Sequence, residues 1–197
     1  MNQILMDTSY KTLTVACIIN NEVVSMVHKH AFKNQSEFAM QTLFEVVSQA
    51  NIQPSDIDEF IITVGPGSYT GVRIAMSIAK TLAAVSPIKI KTITSLQLFV
   101  SDEKPTLVLF DARSDRAYVG VFNQYQYVVG PMVISVDKVS ELIEKFNPIV
   151  VGDGNLVDEL DNFDLTEDNI LMAIKHAVLV EDVDHLKPMY LKEMSAY

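Results

Sequence analysis

Two aspartates, Asp7 and Asp111, close short apolar segments that are typical of buried strands, "QILMD" and "TLVLFD". Carboxylates at equivalent strand ends are able to hold Mg²⁺ for phosphoryl transfer. Such a site also needs glycine-rich hairpins that admit the phosphates. The two segments that follow, "DTSYKTLTV" and "DARSDRAYV", contain no glycine. We therefore interpret Asp7 and Asp111 as remnants of a metal and phosphate site.

A glycine motif precedes a long apolar helical segment, which is where phosphate-binding loops lie. It consists of Gly65, Pro66, Gly67, Ser68, Tyr69, Thr70 and Gly71. A Walker A loop needs Lys where Val72 stands, and a dinucleotide fingerprint needs Gly where Thr70 stands. Pro66 also removes one amide donor. The motif therefore predicts a strand-to-helix turn, with Ser68 or Thr70 as the N-cap.

Other catalytic patterns are missing from the sequence. It has no H-E-x-x-H, C-x-x-C or G-x-S-x-G motif, and its four histidines are scattered. The single cysteine, Cys17, lies in the apolar run "LTVACIIN", where a small buried side chain is the simpler interpretation. We predict no catalytic residue, no metal and no cofactor.

Composition limits the partners. The net charge of −10 opposes direct, strong binding to tRNA or DNA. No apolar run approaches the ~20 residues that span a membrane, and no signal peptide is evident. With one cysteine, the expected location is the cytoplasm.

The elements form a pattern that occurs twice. Three strands open the chain, with a hairpin turn at Asn20–Asn21, and a helix follows with Asn34 and Glu37 as its capping box. The polar segment 102–105 interrupts the pattern, and another strand ending in Asp, a hairpin and a helix follow. A last helix is predicted over 166–180. We predict two half-domains, 1–101 and 102–197.

Two helices carry candidate interface positions. The helix after the glycine motif is apolar over an arc of roughly 200°, which is more than one sheet covers. Its second face packs on a neighbouring helix or meets another protein, and the sequence leaves both open. Arg73, in the first turn, opposes the helix dipole, so the sequence predicts either a compensating carboxylate, carbonyl or bound anion or a surface position with no role. The candidate positions are Phe38, Met40, Phe44, Val72, Arg73, Ala75, Met76, Ala79 and Ala83. On this hypothesis, Ala79→Glu abolishes partner binding and leaves a folded monomer.

Four segments together resemble the TsaB (YeaZ) family over most of the chain. They are "MDTS", "GPGSYTGVRIAMSIAKTLA", "DARSDRAYVGVF" and the terminal "PMYLK". The resemblance implies an α/β, actin-like (ASKHA) fold of two ribonuclease-H-like half-domains with mixed sheets. Where the catalytic paralogue of this family has paired metal histidines, this chain has Gln35 and the residues after it.

The resemblance also implies a function. The chain would be a non-catalytic dimerisation subunit of the complex that installs N6-threonylcarbamoyladenosine at position 37 of tRNAs. Its implied partners are the catalytic paralogue TsaD and the ATPase TsaE, and a homodimer is plausible when TsaD is absent. The alternatives are an ATP-dependent phosphotransferase of the same superfamily and, less favoured, a metallopeptidase.

Overall fold

The computed structural model describes residues 1–100 and 104–191. The chain divides into two compact units. The first comprises Met1–Ser95 and Thr166–Met189, and the second comprises Leu96–Leu165 and Tyr190–Tyr197. The predicted half-domain boundary at 101/102 lies outside the described residues and stays a prediction, as does the place of Lys192 in "PMYLK".

The described residues form ten strands and four α-helices. In chain order, the strands are β1 (Asn2–Asp7), β2 (Thr12–Ile19), β3 (Glu22–His30), β4 (Glu59–Thr63), β5 (Lys89–Ile93), β6 (Thr106–Asp111), β7 (Arg116–Asn123), β8 (Gln126–Ser135), β9 (Ile149–Gly152) and β10 (Val178–Leu179). The helices are α1 (Gln35–Gln49), α2 (Tyr69–Val85), α3 (Val139–Phe146) and α4 (Glu167–Lys175).

The sheet of the first unit has the order β10-β5-β4-β1-β2-β3. Strands β1, β2 and β3 form an antiparallel meander, whereas β4 runs parallel to β1 and to β5. The predicted hairpin turn is confirmed, because Asn20 and Asn21 have φ values of 52° and 67°, which suit a two-residue turn between twisted strands.

The sheet of the second unit has the order β8-β7-β6-β9 and repeats the first one. Its first strand, β6, is antiparallel to β7 and parallel to β9, as β1 is antiparallel to β2 and parallel to β4. In each unit the first strand ends at the predicted aspartate. The predicted α/β class with two mixed sheets is confirmed.

Helices α1 and α2 cover one face of the first sheet and pack on each other. The N-cap predicted at Ser68 is confirmed, because its hydroxyl accepts a hydrogen bond from the amide of Gly71 at 3.2 Å. The capping box predicted at Asn34 is wrong. The Asn34 side chain makes no capping bond, and its carbonyl accepts the amide of Glu37 instead.

The predicted helix over 166–180 is also corrected. Helix α4 ends at Lys175, and Val178–Leu179 form β10, which pairs with β5 at the edge of the first sheet. The helical spacing of apolar residues continues past Lys175, but an open strand edge offers the backbone of 178–179 other hydrogen-bond partners.

Candidate protein-interaction site

The glycine motif is held against the segment that follows β1. The amide of Ser68 donates to the carbonyl of Ser9 at 2.7 Å. The hydroxyl of Thr8 donates to the carbonyl of Gly71 at 2.7 Å and accepts the amide of Ala75 at 3.2 Å. Helix α2 therefore starts on the β1–β2 connection and is fixed there by the backbone of Ser9 and the side chain of Thr8.

Two glycines make this close approach possible. A Cβ atom on Gly67 would overlap the carbonyl oxygen of Ser9, and one on Gly71 would overlap that of Thr8. Gly65, with φ of +102°, adopts a conformation that other residues rarely take. The space under the motif is filled by protein backbone, so the glycines serve packing in this structure.

Asp7 lies beneath the same segment and is fully buried. Its Oδ1 accepts the hydroxyl of Thr63 at 2.5 Å and the amide of Ser9 at 3.0 Å. Its Oδ2 has no hydrogen-bond partner among the described residues, and neither does the hydroxyl of Ser9. Burial raises the pKa of Asp7, and the bonds from Ser9 and Thr63 only partly oppose this. An ionised carboxylate is therefore disfavoured at this position.

Asp111 occupies the equivalent position in the second unit but lies on the surface. Its Oδ1 accepts the amide of Arg113 at 2.6 Å, as that of Asp7 accepts the amide of Ser9. Its own amide donates to Asp153 Oδ2 at 2.7 Å. The same local turn therefore follows each aspartate, but Asp7 is buried and Asp111 is exposed.

Metal ligands do not cluster in the described part of the chain. Residues 1–100 and 104–191 contain no group of three or more His, Cys, Asp or Glu side chains arranged to hold a metal ion. Gln35, where the resemblance places a metal histidine in the paralogue, is buried and donates its side-chain amide to the carbonyl of Tyr10. At this position, the Gln35 side chain ties the start of α1 to the segment that follows β1.

Four predicted interface residues belong to the core of the first unit. Val72, Ala75, Met76 and Ala79 are at most 5% exposed and lie in one apolar cluster with residues of β1, β4 and α1. Helix α2 uses its broad apolar arc on the sheet and on α1, which is the inter-helix alternative that the sequence left open. The expectation that Ala79→Glu leaves a folded monomer is therefore corrected, because the carboxylate would enter this core.

Two other predicted residues remain on the surface of α1. Met40 is 42% exposed and Phe44 is 60% exposed. They lie four residues apart and so share one side of the helix. Leu43 and Val47, which follow Met40 and Phe44 by three residues each, are buried. The apolar residues of α1 therefore divide into a core side and an outer side.

Phe38 and Ala83 take intermediate positions. Both are half-buried and pack on the core cluster of the first unit. The ammonium of Lys29 lies 5.0 Å from the centroid of the Phe38 ring. Part of the Phe38 side chain therefore already has contacts within the chain, which leaves less of it for a partner.

The outer face of α2 holds Arg73, whose guanidinium lies 3.9 Å from the centroid of the Tyr69 ring. This cation–π contact holds the guanidinium beside the ring, and a carboxylate, carbonyl or anion that compensates Arg73 at the helix N-terminus stays a prediction. Tyr69 is 61% exposed and is the first residue of α2, whereas the glycine motif predicts it in the loop. The signal for its position was the four-residue spacing between Tyr69 and Arg73 on a helix.

Comparison with known proteins defines the family and the fold to which this chain is similar. The family model of TsaD, described as tRNA N6-adenosine threonylcarbamoyltransferase, matches residues 18–177. YeaZ from Pseudomonas aeruginosa has the same fold, with a TM-score of 0.79, 19% identity and coverage of 96% of this chain and 99% of that one. A second crystal structure, of an uncharacterized protein with similarity to peptidase YEAZ from Pseudomonas aeruginosa, gives a TM-score of 0.81 at 18% identity over 97% of this chain and 99% of that one. The chain therefore has the fold of YeaZ, as the resemblance implies.

Relatives that carry names narrow the class of protein to which this chain belongs. The TsaB protein of Bacillus subtilis, named a tRNA threonylcarbamoyladenosine biosynthesis protein, is 32% identical over 160 residues, which are 76% of this chain and 69% of that protein. The TsaB protein of Buchnera aphidicola is 26% identical over 75% of this chain and 76% of that protein. The chain belongs to the TsaB family. None of its described helices is long and apolar enough to cross a membrane.

Proposed function

We propose that the chain is a non-catalytic subunit that binds the catalytic paralogue TsaD and, with TsaE, supports the synthesis of threonylcarbamoyladenosine on tRNAs in the cytoplasm. The observation that carries this proposal is the outer side of α1. Met40 and Phe44 are large apolar residues that the fold leaves in water. Exposed apolar side chains that share one face are typical of protein interfaces.

The region of the glycine motif supports a non-catalytic role. Backbone atoms of Thr8 and Ser9 occupy the space next to Gly67 and Gly71, where a phosphate-binding loop would hold a ligand. The Asp7 carboxyl is fully buried and bonded to Thr63 and Ser9. These groups serve to position α2, and through α2 they position α1.

The net charge of −10 supports a division of labour within the complex. A chain with this charge repels the phosphates of tRNA, so contact with tRNA is better supplied by another subunit. The role proposed for this chain is to bind and support TsaD rather than to bind the tRNA.

An ATP-dependent phosphotransferase is the alternative, and the equivalent positions of Asp7 and Asp111 favour it. This alternative requires the isolated chain to bind ATP with Mg²⁺. A rise in melting temperature that depends on ATP would support it. The proposed function predicts no such rise for the isolated chain.

Light scattering coupled to size-exclusion chromatography tests the proposal. The chain is mixed with TsaD of the same organism, with and without TsaE and ATP, and a one-to-one complex with TsaD is expected. Phe44→Ser should weaken this complex. Val128→Ser is the matched control, since Val128 is 49% exposed on β8 of the second unit. If no complex forms under any of these conditions, the proposal is wrong.

A further inference from the structure

We infer that Met40 is a reversible oxidation site, at which a peroxide converts the thioether to a sulfoxide and thereby weakens the binding of a protein partner to α1. The inference deepens the proposed function, since the partner in question is TsaD. Oxidation of this one side chain would then control how tightly the outer side of α1 binds its partner.

Accessibility distinguishes Met40 from the methionines of the core. Peroxides react with thioethers that they reach, so exposure sets the order of reaction. Met40 is 42% exposed, whereas Met6 and Met76 are at most 5% exposed and lie in the core cluster. Met1 is 56% exposed, but it precedes β1 and does not belong to α1.

The position of Met40 on α1 makes its oxidation matter for binding and not for folding. Helix α1 is held to its unit by core-facing residues such as Leu43 and Val46, which are at most 6% exposed. Met40 is not a member of that core cluster. It lies one helical turn before Phe44, the most exposed apolar residue of α1. A sulfoxide at Met40 therefore adds a polar group to the outer side and leaves the core contacts in place.

The chemistry balances with hydrogen peroxide as the oxidant. A lone pair of the Met40 sulfur attacks one peroxide oxygen, the O–O bond breaks and an S–O bond forms. The second oxygen leaves as water after proton transfer. Sulfur loses two electrons and the peroxide gains them. A thiol-dependent methionine sulfoxide reductase reverses the change.

A buried sulfoxide oxygen needs a hydrogen-bond donor, and a partner surface that fits a thioether does not offer one. Leaving such an acceptor unsatisfied costs enough to raise Kd by about tenfold or more. The thioether itself adapts to irregular apolar contacts, which suits an interface. Oxidation therefore replaces a favourable contact with an unfavourable one.

The experiment compares the wild-type chain with Met40→Leu, which keeps the apolar volume but has no sulfur. Both are treated with hydrogen peroxide, and binding to TsaD is measured by calorimetry before treatment, after treatment and after the reductase. Kd of the wild type should rise by about tenfold and return with the reductase. Kd of Met40→Leu should not change. Equal changes in the two proteins, or none in either, would overturn the inference.

Peptide mass spectrometry separates this inference from the proposed function. Met40 should gain one oxygen before Met6 and Met76 do, and bound TsaD should slow the reaction at Met40. Failure of the untreated wild type to bind TsaD would refute the proposed function. Oxidation of Met40 no faster than that of the core methionines would refute the oxidation site even if TsaD binds.

Discussion

Phe44→Ala is expected to weaken the binding of TsaD by about two orders of magnitude and to leave the chain folded. A Phe side chain buries about 200 Å² when it is fully covered. Since Phe44 is 60% exposed, about 120 Å² of that area remains for a partner. At about 25 cal/mol per Å², full coverage contributes up to about 3 kcal/mol, which is about a hundredfold in Kd.

The free chain should lose much less from the same substitution. Phe44 is not a member of the apolar core cluster, and Ala favours a helix more than Phe does. We expect the free energy of unfolding to fall by no more than about 1–2 kcal/mol, because only the buried part of the ring is lost. Leu43→Ala is the contrasting variant. Leu43 is 6% exposed, so its truncation should cost about 2–5 kcal/mol of stability.

Isothermal titration calorimetry with TsaD measures the first effect, and urea unfolding measures the second. Val128→Ala serves as the binding control because Val128 is 49% exposed on β8, away from α1 in the sequence and in another unit. A Phe44→Ala chain that binds TsaD within about threefold of the wild type would refute the assignment of α1 to the interface.

Three further predictions concern the core and the glycine motif. Ala79→Glu should abolish cooperative thermal unfolding, because Ala79 is fully buried in an apolar cluster; a folded variant would contradict this burial. The raised pKa of Asp7 means that its contribution to stability is complete below the ordinary carboxyl pKa and is lost as the pH rises through the folded-state value. The side chain of Asp7→Asn does not titrate. Urea unfolding between these two pKa values should therefore show the free energy of unfolding of Asp7→Asn rising, relative to that of the wild type, as the pH rises. A difference that stays constant with pH would contradict the raised pKa of Asp7. Gly71→Ala should lower the melting temperature, because the added methyl group overlaps the carbonyl of Thr8; an unchanged melting temperature would show that α2 has room to move.

Local signals predict the parts of the fold that neighbouring residues decide. Asn20 and Asn21 predict the hairpin because both tolerate positive φ, and Ser68 predicts the start of α2 because its hydroxyl reaches an amide three residues on. The two strands that end at Asp7 and Asp111 indicate the repeated topology. Each of these features depends on a few consecutive residues.

Distant contacts decide the features that the sequence left open or that were predicted wrongly. The apolar arc of α2 did not reveal that Ala75 and Ala79 face the core, since the sequence does not show which elements cover a helix. Asp7 and Asp111 have the same local pattern, yet Asp7 is buried and accepts a hydrogen bond from Thr63 on another strand. Residues 178–179 form a strand because β5 offers a free edge. None of these contacts is local in the chain.

A reconstituted modification assay tests the central claim most directly. Unmodified tRNA, TsaD, TsaE and the small substrates are incubated with and without this chain, and threonylcarbamoyladenosine is measured by mass spectrometry. The account predicts modification in the full mixture, a large loss when this chain is omitted, and no modification by this chain in the absence of TsaD. Modification that proceeds equally well without the chain, or that the chain performs without TsaD, would contradict it.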